Sequence, residues 1–599
     1  MCGIIGRLNY KYPIDRDVFT VMRDTLTHRG PDGCGLYISD NQKTALGHRR
    51  LSFLDLSEAG TQPISNETQK IWLTINGEIY NYKELRKILQ DKGHLFKSET
   101  DSEVVIHGYE EWGIEVLNRL NGMFAFGLWD DSKKLLFMAR DRFGIKPLYY
   151  YKSDDTFIFA SEIKAIVKDP AVPRNINYKS FTDFFTYRYI PSPASIWENI
   201  SKLPPAHYLI VKDETVNEPT CYWQLTTENK DEAAAAVIEK TNYLLHESVK
   251  KHIQSDVPVG SFLSGGYDSS ALVYYLHSLK YQAETFSIGF ENWEHSEHQY
   301  AQIVADTFKM KNNAIIIGKE SLNLLQHLSY VYDEPLADIS IIPTYVVSKE
   351  AAKSVKTVLS GEGADEIFCG YTWHKHIYEK NLNQSFYYKF IHNLSGNKLP
   401  FTVKEYSQAM AMGLFDKPQL KGLLKNDLHN FINPNPFWFY QSHYKKELST
   451  IKQLQYMDIK TFMGELVLTK VDRSSMANAL EVRVPFLEHN LVDYLFNLDE
   501  KTYYKPEYKK YVLYENIKNH LPQTILKRSK QGFVGPDSYY QDIEFYGAML
   551  REGHLVKAHL INKDTVSDWL HQKDHWRLWK LLIMELWYTK WVIEKDCNE

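Results

Sequence analysis

Short apolar runs alternate with polar turns along most of this chain, and this pattern predicts strands and helices in alternation. Residues 2–6 read CGIIG, where β-branched side chains and alternating polarity predict a buried strand. In the second half, the pattern predicts strands at residues 284–289, 313–317 and 356–360, with helices between them. This spacing is typical of a doubly wound, mostly parallel sheet that binds its ligand at the strand C-termini.

The length and the distribution of prolines divide the chain into two domains. A single hydrophobic core stops growing near roughly 250–300 residues, so the 599 residues of this chain require at least two. Prolines are frequent at 168–175 and 190–205, and a strand-like segment then leads into an alanine-rich amphipathic helix. We therefore place the boundary at 210–230, between an N-terminal domain of residues 1–215 and a C-terminal domain of residues 230–599.

The composition is that of an ordinary globular protein. Apolar residues make up 44% and charged residues 24%, and the net charge of −5 neither predicts nucleic-acid binding nor excludes small anionic substrates. No apolar run approaches the ~20 residues that span a bilayer, and the N-terminus lacks the features of a signal peptide. The cysteines are odd in number and none has CxxC spacing, so we expect a reducing compartment and a cytoplasmic protein without nucleic-acid or membrane partners. They are Cys2, Cys34, Cys221, Cys369 and Cys597.

Cys2 is the first candidate catalytic residue. If Met1 is removed, the thiol and a free α-amine with a pKa of about 7.7–8.0 lie on one residue, and the amine can act as its base. A small buried cysteine is the alternative. The pair Asn76-Gly77 predicts a turn that can aim an amide and a backbone N–H at an oxyanion. Asp101 lies in a segment typical of a helix N-cap, and capping is its alternative role.

Six segments between residues 2 and 210 follow one another in a specific order: CGIIG, HRRLS, NGEIYNY, TDSE, NGMFAF and RDRFGIKPL. This stretch resembles the glutaminase domain of class II (N-terminal-nucleophile) amidotransferases. The resemblance implies an α/β/β/α sandwich in which Cys2 attacks the side-chain amide of glutamine and forms a glutamyl thioester. It further implies an oxyanion hole made by Asn76 and the Gly77 N–H. The implied glutamine pocket consists of Arg50 for the α-carboxylate, Asp101 for the α-amine and Glu78 on its wall.

A strand, a glycine-rich loop and a helix are predicted in succession at residues 258–273. Glycines let the backbone approach an anion, and the helix N-terminus favours its negative charge. The loop lacks the Gly-Lys-Ser/Thr of a Walker motif. Its sequence, SGGYDSS, resembles the PP-loop of ATP pyrophosphatases, which grips pyrophosphate and leaves AMP on the substrate. A generic glycine-rich turn is the alternative, but the flanking strand and helix favour a PP-loop with Asp268 as a candidate Mg²⁺ ligand.

Two further loops follow predicted strands. In the sequence SIGF, Ile288 is predicted to contact adenine. The sequence SGEGADE at 360–366 places three carboxylates beside glycines. Solvated surface acid is the usual explanation of such a cluster. Because the cluster follows a buried strand, we favour Mg²⁺ and substrate binding, with Asp365 paired with Asp268.

Over residues 220–540, the segments SGGYDSS, SIGF, SGEGADE, KVDRSSMA, EVRVPFLE and KQGF resemble the glutamine-hydrolysing asparagine synthetase family. The resemblance implies a PP-loop ATP pyrophosphatase domain that uses ATP and Mg²⁺ to adenylate aspartate, and a homodimer. It implies that Glu362 guides or deprotonates ammonia and that Lys530 stabilises the transition state. The residues implied to bind ATP and Mg²⁺ are Ser264, Gly265, Gly266, Asp268, Ser269, Ile288, Ser360 and Gly361, with Asp268 and Asp365 as metal ligands.

The acceptor loop at 333–345 leaves the substrate open. Some family members have an arginine there for the aspartate α-carboxylate, where this chain has Ile339 and Ser340, while other branches share its Asp-Glu-Pro-x-x-Asp form. Two interpretations remain: glutamine-dependent amidation of aspartate, or the same chemistry on a sugar acid or a peptide side chain. A sugar-phosphate aminotransferase would lack the SGGxDS loop. A degenerate binding protein would not need both Cys2 and Asp268.

Overall fold

The computed structural model describes residues 2–383, 399–528, 533 and 535–595, apart from the side chain of Ser538. Within these residues the strands form a six-stranded, a seven-stranded and a five-stranded sheet. The first two belong to the N-terminal domain and the third belongs to the C-terminal domain. Among the helices described, none is long and apolar enough to cross a bilayer.

The N-terminal domain contains two antiparallel sheets. The first has the order β10-β8-β9-β1-β3-β2, and the second has the order β12-β11-β7-β6-β5-β4, with β13 paired to β11. The strands are β1 Cys2–Asn9, β2 Gly33–Ile38, β3 Thr44–Arg50, β4 Ile64–Ser65, β5 Ile71–Ile79, β6 Gly122–Asp130, β7 Leu135–Arg140, β8 Tyr149–Lys152, β9 Thr156–Ala160, β10 Ile200–Lys202, β11 His207–Lys212, β12 Thr215–Val216 and β13 Thr220–Cys221. The α-helices are Arg16–Asp24, Tyr82–Asp91, Glu103–Trp112, Val116–Arg119, Ile163–Val167 and Tyr178–Tyr187.

These two sheets pack face to face, with helices outside both. Ile4 of the first sheet and Met138 of the second lie in the same buried cluster between them. On the outer face of the first sheet, Ile5 belongs to a core that includes Phe19 of the first helix. The second sheet packs in the same way against two helices within residues 82–112. Alternate residues of β1 thus serve two different cores, and the predicted α/β/β/α sandwich is confirmed.

The predicted turn at Asn76-Gly77 is wrong, because both residues lie inside β5. Asn76 pairs with Ala125 and Gly77 pairs with Phe124 of β6. A Cβ at Gly77 would lie 2.1 Å from the carbonyl oxygen of Met123, so the glycine permits close strand pairing rather than a turn. The apolar alternation on either side of the pair continues the strand and overrides the local turn preference.

The C-terminal domain contains the five-stranded parallel sheet, in the order β16-β15-β14-β17-β18. Its strands are β14 Val259–Phe262, β15 Thr285–Phe290, β16 Asn312–Ile317, β17 Thr357–Leu359 and β18 Glu481–Arg483. The three strands predicted between residues 284 and 360 therefore form within one residue of the predicted bounds at each end. The order of the strands confirms the doubly wound parallel arrangement.

Helices cover this sheet and form the rest of the domain. The predicted alanine-rich helix is Ala234–His252. The helix Thr450–Asp458 continues through a π-helical segment, Ile459–Leu468, into Thr469–Met476. The other α-helices are Tyr267–Ser278, His298–Thr307, Leu324–Tyr332, Ile341–Ala351, Ala364–Ile367, Thr372–Leu382, Phe401–Met410, Lys417–Leu423, Trp438–Ser442, His489–Asn497, Glu500–Tyr503, Tyr511–Ile517, Gln523–Leu526, Asp537–Tyr540, Ile543–Leu550, His554–Lys557, Lys563–Gln572 and His575–Tyr588.

Candidate active sites

Cys2 lies at the start of β1, opposite Arg50 of β3, and is buried. Its backbone N–H donates a hydrogen bond of 3.0 Å to Asn76 Oδ1. Burial raises the pKa of the Cys2 thiol, while the nearby N-terminal amine and the backbone N–H of Leu51 oppose this rise. A thiol in such a position needs a local base to become a nucleophile near neutral pH.

The Asn76 amide is oriented by Cys2. Because Oδ1 accepts the bond from the Cys2 nitrogen, Nδ2 is the group left to donate. Asn76 is fully buried, and its Nδ2 has no hydrogen-bond partner among the described residues. A buried donor without an acceptor is costly, and it suits a site where an oxyanion forms during reaction.

The other three residues predicted to bind glutamine are also buried. Arg50 donates 2.8 Å to the carbonyl oxygen of Ser57, so the loop after β3 holds its guanidinium. Asp101 Oδ2 accepts a hydrogen bond of 2.6 Å from the N–H of Ile79. The N-cap residue of the helix Glu103–Trp112 is Ser102, and no side chain caps this helix. The alternative capping role of Asp101 is therefore wrong. Burial raises the pKa of Asp101 to about 6.

Glu78 contacts a residue of the C-terminal domain. Its Oε2 lies 3.1 Å from Nη2 of Arg483, which is fully buried at the end of β18. Burial, and then the negative charge of Asp101, raise the pKa of Glu78 well above its ordinary value. The backbone carbonyl of Arg483 accepts 2.9 Å from the N–H of Ser360. The segment EVRVPFLE thus contacts both the predicted glutamine pocket and the predicted ATP loop.

Arg29 is a residue that sequence reasoning missed. It is fully buried, and its Nε donates 3.1 Å to the carbonyl oxygen of Cys2. Its two terminal nitrogens form a bidentate pair with Asp472, at 2.8 and 3.0 Å. Asp472 belongs to the KVDRSSMA segment, 443 residues away, so no local pattern could have indicated the contact. The pair ties the backbone of the candidate nucleophile to the C-terminal domain.

A cavity of about 590 Å³ opens at the C-terminal end of the parallel sheet. This volume is in the range of small-molecule sites, roughly 300–1,000 Å³. The predicted PP-loop forms one wall. Gly265 has a φ of 73°, and a Cβ there would lie 2.6 Å from Tyr300, so only glycine fits. The predicted residues that line the cavity are Ser264, Gly265, Gly266, Asp268, Ser269, Ser360, Gly361, Glu362 and Asp365.

Lys510 lies between Asp268 and Asp365, the two predicted metal ligands, and sequence reasoning did not identify it. Its Nζ bonds to Asp268 Oδ1 and lies 2.8 Å from Asp365 Oδ1. Although burial disfavours the ammonium, the two carboxylates outweigh this effect and raise the pKa of Lys510. A Cβ at Gly370 would lie 2.0 Å from Lys510 Cε and 2.1 Å from Asp365 Oδ1, so this glycine makes room for the cluster.

Three predicted residues of the synthetase site need separate comment. Glu362 accepts a short hydrogen bond from the hydroxyl of Ser360. Ile288 is buried in the core and is not among the residues that line the cavity, whereas Phe286 on the same strand is. Because alternate side chains of a strand face opposite sides of a sheet, Phe286 and Ile288, two positions apart, face the same side, and the adenine contact of Ile288 stays a prediction. Lys530 lies outside the described residues.

The acceptor loop also lines the cavity. Asp338, Ile339 and Ser340 line it together with Lys470 and Arg188. Lys470 Nζ donates 2.7 Å to Ser340 Oγ and lies 3.9 Å from Asp338 Oδ2. The earlier part of the loop faces the N-terminal domain instead, since Asp333 accepts 3.1 Å from the N–H of Lys164.

Comparison with known proteins matches a different family model to each part of the chain. A glutamine amidotransferase domain model matches residues 1–223, and an asparagine synthase model matches residues 240–589. Asparagine synthetase (glutamine-hydrolyzing) 1 of Bacillus subtilis is 32% identical over 98% of this chain and 96% of its own. Putative asparagine synthetase (glutamine-hydrolyzing) 2 of Methanocaldococcus jannaschii is 36% identical over 81% of this chain and 100% of its own. Amidase chry2 of Gibberella zeae is 28% identical over 86% of this chain and 84% of its own.

The fold and the two family matches define a glutamine amidotransferase domain joined to a synthetase domain in one chain. Such a protein is a carbon–nitrogen ligase with glutamine as its nitrogen donor. The identities to full-length relatives extend this conclusion from the domains to the whole protein. The chain belongs to the glutamine-hydrolysing asparagine synthetase family.

Proposed function

We propose that this protein hydrolyses glutamine, adenylates the β-carboxylate of aspartate with ATP, and transfers the released ammonia to form asparagine. The products would be glutamate, asparagine, AMP and pyrophosphate. The observation that carries the proposal is the joining of two sites in one chain. Arg29 connects the backbone of Cys2 to Asp472, and Arg483 connects Glu78 to Ser360 beside the PP-loop.

In the glutaminase site, Cys2 attacks the side-chain carbonyl carbon of glutamine. Once Met1 is removed, the α-amine on the same residue accepts the thiol proton and later delivers it to the leaving ammonia. Asn76 Nδ2 and the Gly77 N–H stabilise the tetrahedral oxyanion, and one such donor is worth roughly 3 kcal/mol. Water then hydrolyses the glutamyl thioester to glutamate.

Glutamine binding in this pocket depends on charge. Arg50 suits the α-carboxylate, while Asp101 and Glu78 suit the α-ammonium. Burial raises the pKa values of both carboxyls and so favours their neutral forms. The incoming ammonium would oppose this effect and favour their ionised forms. The α-ammonium would share Glu78 with Arg483, so a residue of the synthetase domain would contact the glutamine site.

In the synthetase site, the PP-loop glycines and the N-terminus of the helix Tyr267–Ser278 suit the phosphates of ATP. Asp268 and Asp365 would hold Mg²⁺, which neutralises phosphate charge when bound. Their proximity supports this assignment, since one Lys510 ammonium contacts both carboxylates. Glu362 faces the same cavity and would receive the proton of the attacking ammonia.

A different carboxylate as acceptor is the second candidate. Ile339 and Ser340 stand where some family members carry an arginine, and a relative at 28% identity is named an amidase rather than a synthetase. The boundary at 210–230, the cytoplasmic location and a homodimer remain predictions. For the boundary, β13 extends the paired strands of the N-terminal domain to Cys221.

The test is product formation with Mg²⁺, ATP and glutamine, with aspartate supplied or omitted. We expect AMP to depend on aspartate and to match the asparagine detected by mass spectrometry. Glutamate release without aspartate-dependent AMP would retain the glutaminase and reject aspartate as the acceptor. Sugar acids and peptides would then be screened in the same assay.

A further inference from the structure

We propose that Arg188 and Asp338 recognise the acceptor as an α-amino acid, with Arg188 binding its α-carboxylate and Asp338 its α-ammonium. This inference rests on the function proposed above and assigns a specificity that the acceptor loop alone does not explain. Arg188 would take the role for which some family members use an arginine in the acceptor loop, where this chain has Ile339 and Ser340. The substrate class is an α-amino dicarboxylic acid, which aspartate satisfies.

Arg188 is a buried cation that lines the synthetase cavity. Only 7% of its surface is exposed. Its Nη1 lies 2.6 Å from Met412 Sδ, and a thioether is a weak acceptor. Its Nε is buried without a hydrogen-bond partner, and no carboxylate forms an ion pair with its guanidinium, within the part of the chain that the structure describes. A buried guanidinium without a direct ion pair is unfavourable, so an anionic ligand would stabilise it.

The backbone holds Arg188 against the acceptor loop. It ends the helix Tyr178–Tyr187 in a left-handed conformation, with φ 72° and ψ 1°. Non-glycine residues adopt this conformation at a cost, which the surrounding contacts must offset. The carbonyl oxygen of Arg188 accepts 2.8 Å from the N–H of Ala337, the neighbour of Asp338. Arg188 therefore lies next to the loop although it is 150 residues earlier in the chain.

Asp338 supplies the complementary negative charge on the same wall. Its Oδ1 accepts 2.7 Å from the N–H and 2.6 Å from the hydroxyl of Ser340, which fix the orientation of the carboxylate. Although burial favours the neutral acid, Lys470 and Arg188 hold the pKa of Asp338 below its ordinary value. Asp338 is therefore ionised at neutral pH. The positive charge of Arg188 is close enough to the Asp338 carboxylate to stabilise its ionised form.

A cation and an anion on one wall match the two charged groups on the α-carbon of an amino acid. A sugar acid carries no ammonium for Asp338, and a side chain within a peptide offers Arg188 no free α-carboxylate. The glutaminase pocket has the same combination, with Arg50 and Asp101 proposed for the two groups of glutamine. Because the PP-loop lines the same cavity, an acceptor held in this way can direct its side-chain carboxylate at ATP.

The experiment measures AMP formation with ammonium chloride as nitrogen donor, so that the glutaminase site is bypassed. The acceptors are aspartate, β-alanine, which lacks the α-carboxylate, and succinate, which lacks the α-ammonium. The variants are Arg188→Met, Arg188→Lys and Asp338→Asn. The matched control is Arg174→Met, an arginine outside the cavity whose Nη2 donates 3.0 Å to the carbonyl oxygen of Val167.

The wild type should prefer aspartate to both analogues. Losing a hydrogen bond between charged groups should raise the aspartate KM of Arg188→Met by roughly 10- to 100-fold. The same variant should lose its preference over β-alanine while its ATP KM stays unchanged. Arg188→Lys should lie between this variant and the wild type, since lysine keeps the charge without the bidentate geometry. Asp338→Asn should lose the preference over succinate, and Arg174→Met should match the wild type.

The inference fails if Arg188→Met makes asparagine with the wild-type aspartate KM and the wild-type preference over β-alanine. It also fails if the ATP KM rises as much as the aspartate KM. Glutamine hydrolysis by each variant reports whether the chain has folded, and Arg188→Lys decides the matter if Arg188→Met does not fold. A wild type that makes no asparagine from aspartate would instead overturn the proposed function itself.

Discussion

Replacing Lys510 with methionine should separate the synthetase reaction from the glutaminase reaction. Lys510 is the cation between Asp268 and Asp365, beside the PP-loop. In the proposed reaction, negative charge builds on the α-phosphate and on the departing pyrophosphate, and the Lys510 ammonium would stabilise it. Methionine keeps most of the length of the side chain and removes only the charge.

The magnitude follows from the role of one fixed donor at a developing charge. Such a donor is worth roughly 2.7–4 kcal/mol, which corresponds to a loss of roughly 10²–10³-fold in the rate of AMP formation. The fold should survive, because the side chains of Asp268 and Asp365 retain 25% and 20% of their exposed surface and water can reach them. Glutamine hydrolysis should stay near the wild-type rate.

The assay is aspartate-dependent AMP formation with ammonium chloride, measured beside glutamate release for each variant. Lys505→Met is the matched control, since Lys505 lies on the same segment, against the ring of Tyr511 and outside the cavity. A loss of less than about threefold in Lys510→Met would refute the reasoning and leave Lys510 a structural residue. An equal loss of glutamate release would show that the whole fold had been damaged.

Three further predictions test other parts of the structure. Cys2→Ala should lose glutamine hydrolysis and keep ammonia-driven amidation, and loss of both in a folded protein would contradict the separation of the two half-reactions. Gly370→Ala should displace Lys510, because the added methyl group would overlap its side chain. We expect aspartate-dependent AMP formation to fall about tenfold, which is less than the loss expected on removing a fixed donor altogether. An unchanged rate would show that the cluster tolerates the methyl group. Although burial favours neutral imidazole, the carboxylate of Glu103, 3.6 Å from Nε2, and that of Glu110, hydrogen-bonded to Nδ1 at 2.9 Å, raise the pKa of His107 to about 9. Its stabilisation is therefore fully present below about pH 6.5, where the unfolded imidazole is also protonated, and is lost as the pH rises through about 9. The difference in melting temperature between wild type and His107→Gln, reflecting at most about 3 kcal/mol, should shrink between pH 6 and pH 10, and a constant difference would contradict the assignment.

The features that could be predicted from the sequence are those encoded within a few neighbouring residues. The PP-loop is an example, because strand, glycines and helix follow directly in the chain from Val259 to Ser278. The buried strands β14, β15 and β17 are another, since each is a short run of mostly apolar or small residues. β18 was not predicted, because Glu481–Arg483 is only three residues long and carries charge at both ends.

The contacts between the domains, and those within the synthetase site, could not be predicted, because each joins residues that are distant in the chain. Arg29 meets Asp472 across 443 positions, and Arg483 meets Glu78 across 405. Lys510 reaches Asp268 across 242 positions from a segment without a recognisable motif. In the sequence alone, Arg29, Arg483 and Lys510 cannot be distinguished from ordinary surface charge. Only the folded chain shows that they are buried and paired.

The prediction of a turn at Asn76-Gly77 was wrong for the opposite reason, since tertiary structure overrode a strong local signal. β6 passes so close to Gly77 that a side chain would overlap the carbonyl oxygen of Met123. Pairing along the whole of β5 stabilises an extended backbone at a dipeptide that usually turns. The same pairing places Asn76 where its amide accepts the N–H of Cys2.

The central claim is that ammonia released at Cys2 is used at the PP-loop of the same chain. The most direct test supplies glutamine labelled with ¹⁵N in its side-chain amide, together with aspartate, ATP, Mg²⁺ and excess unlabelled ammonium chloride. We predict asparagine whose amide nitrogen comes mainly from the labelled glutamine, with AMP formed in equal amount. Asparagine that carries the isotope ratio of the bulk ammonia, or glutamate release without aspartate-dependent AMP, would contradict the account.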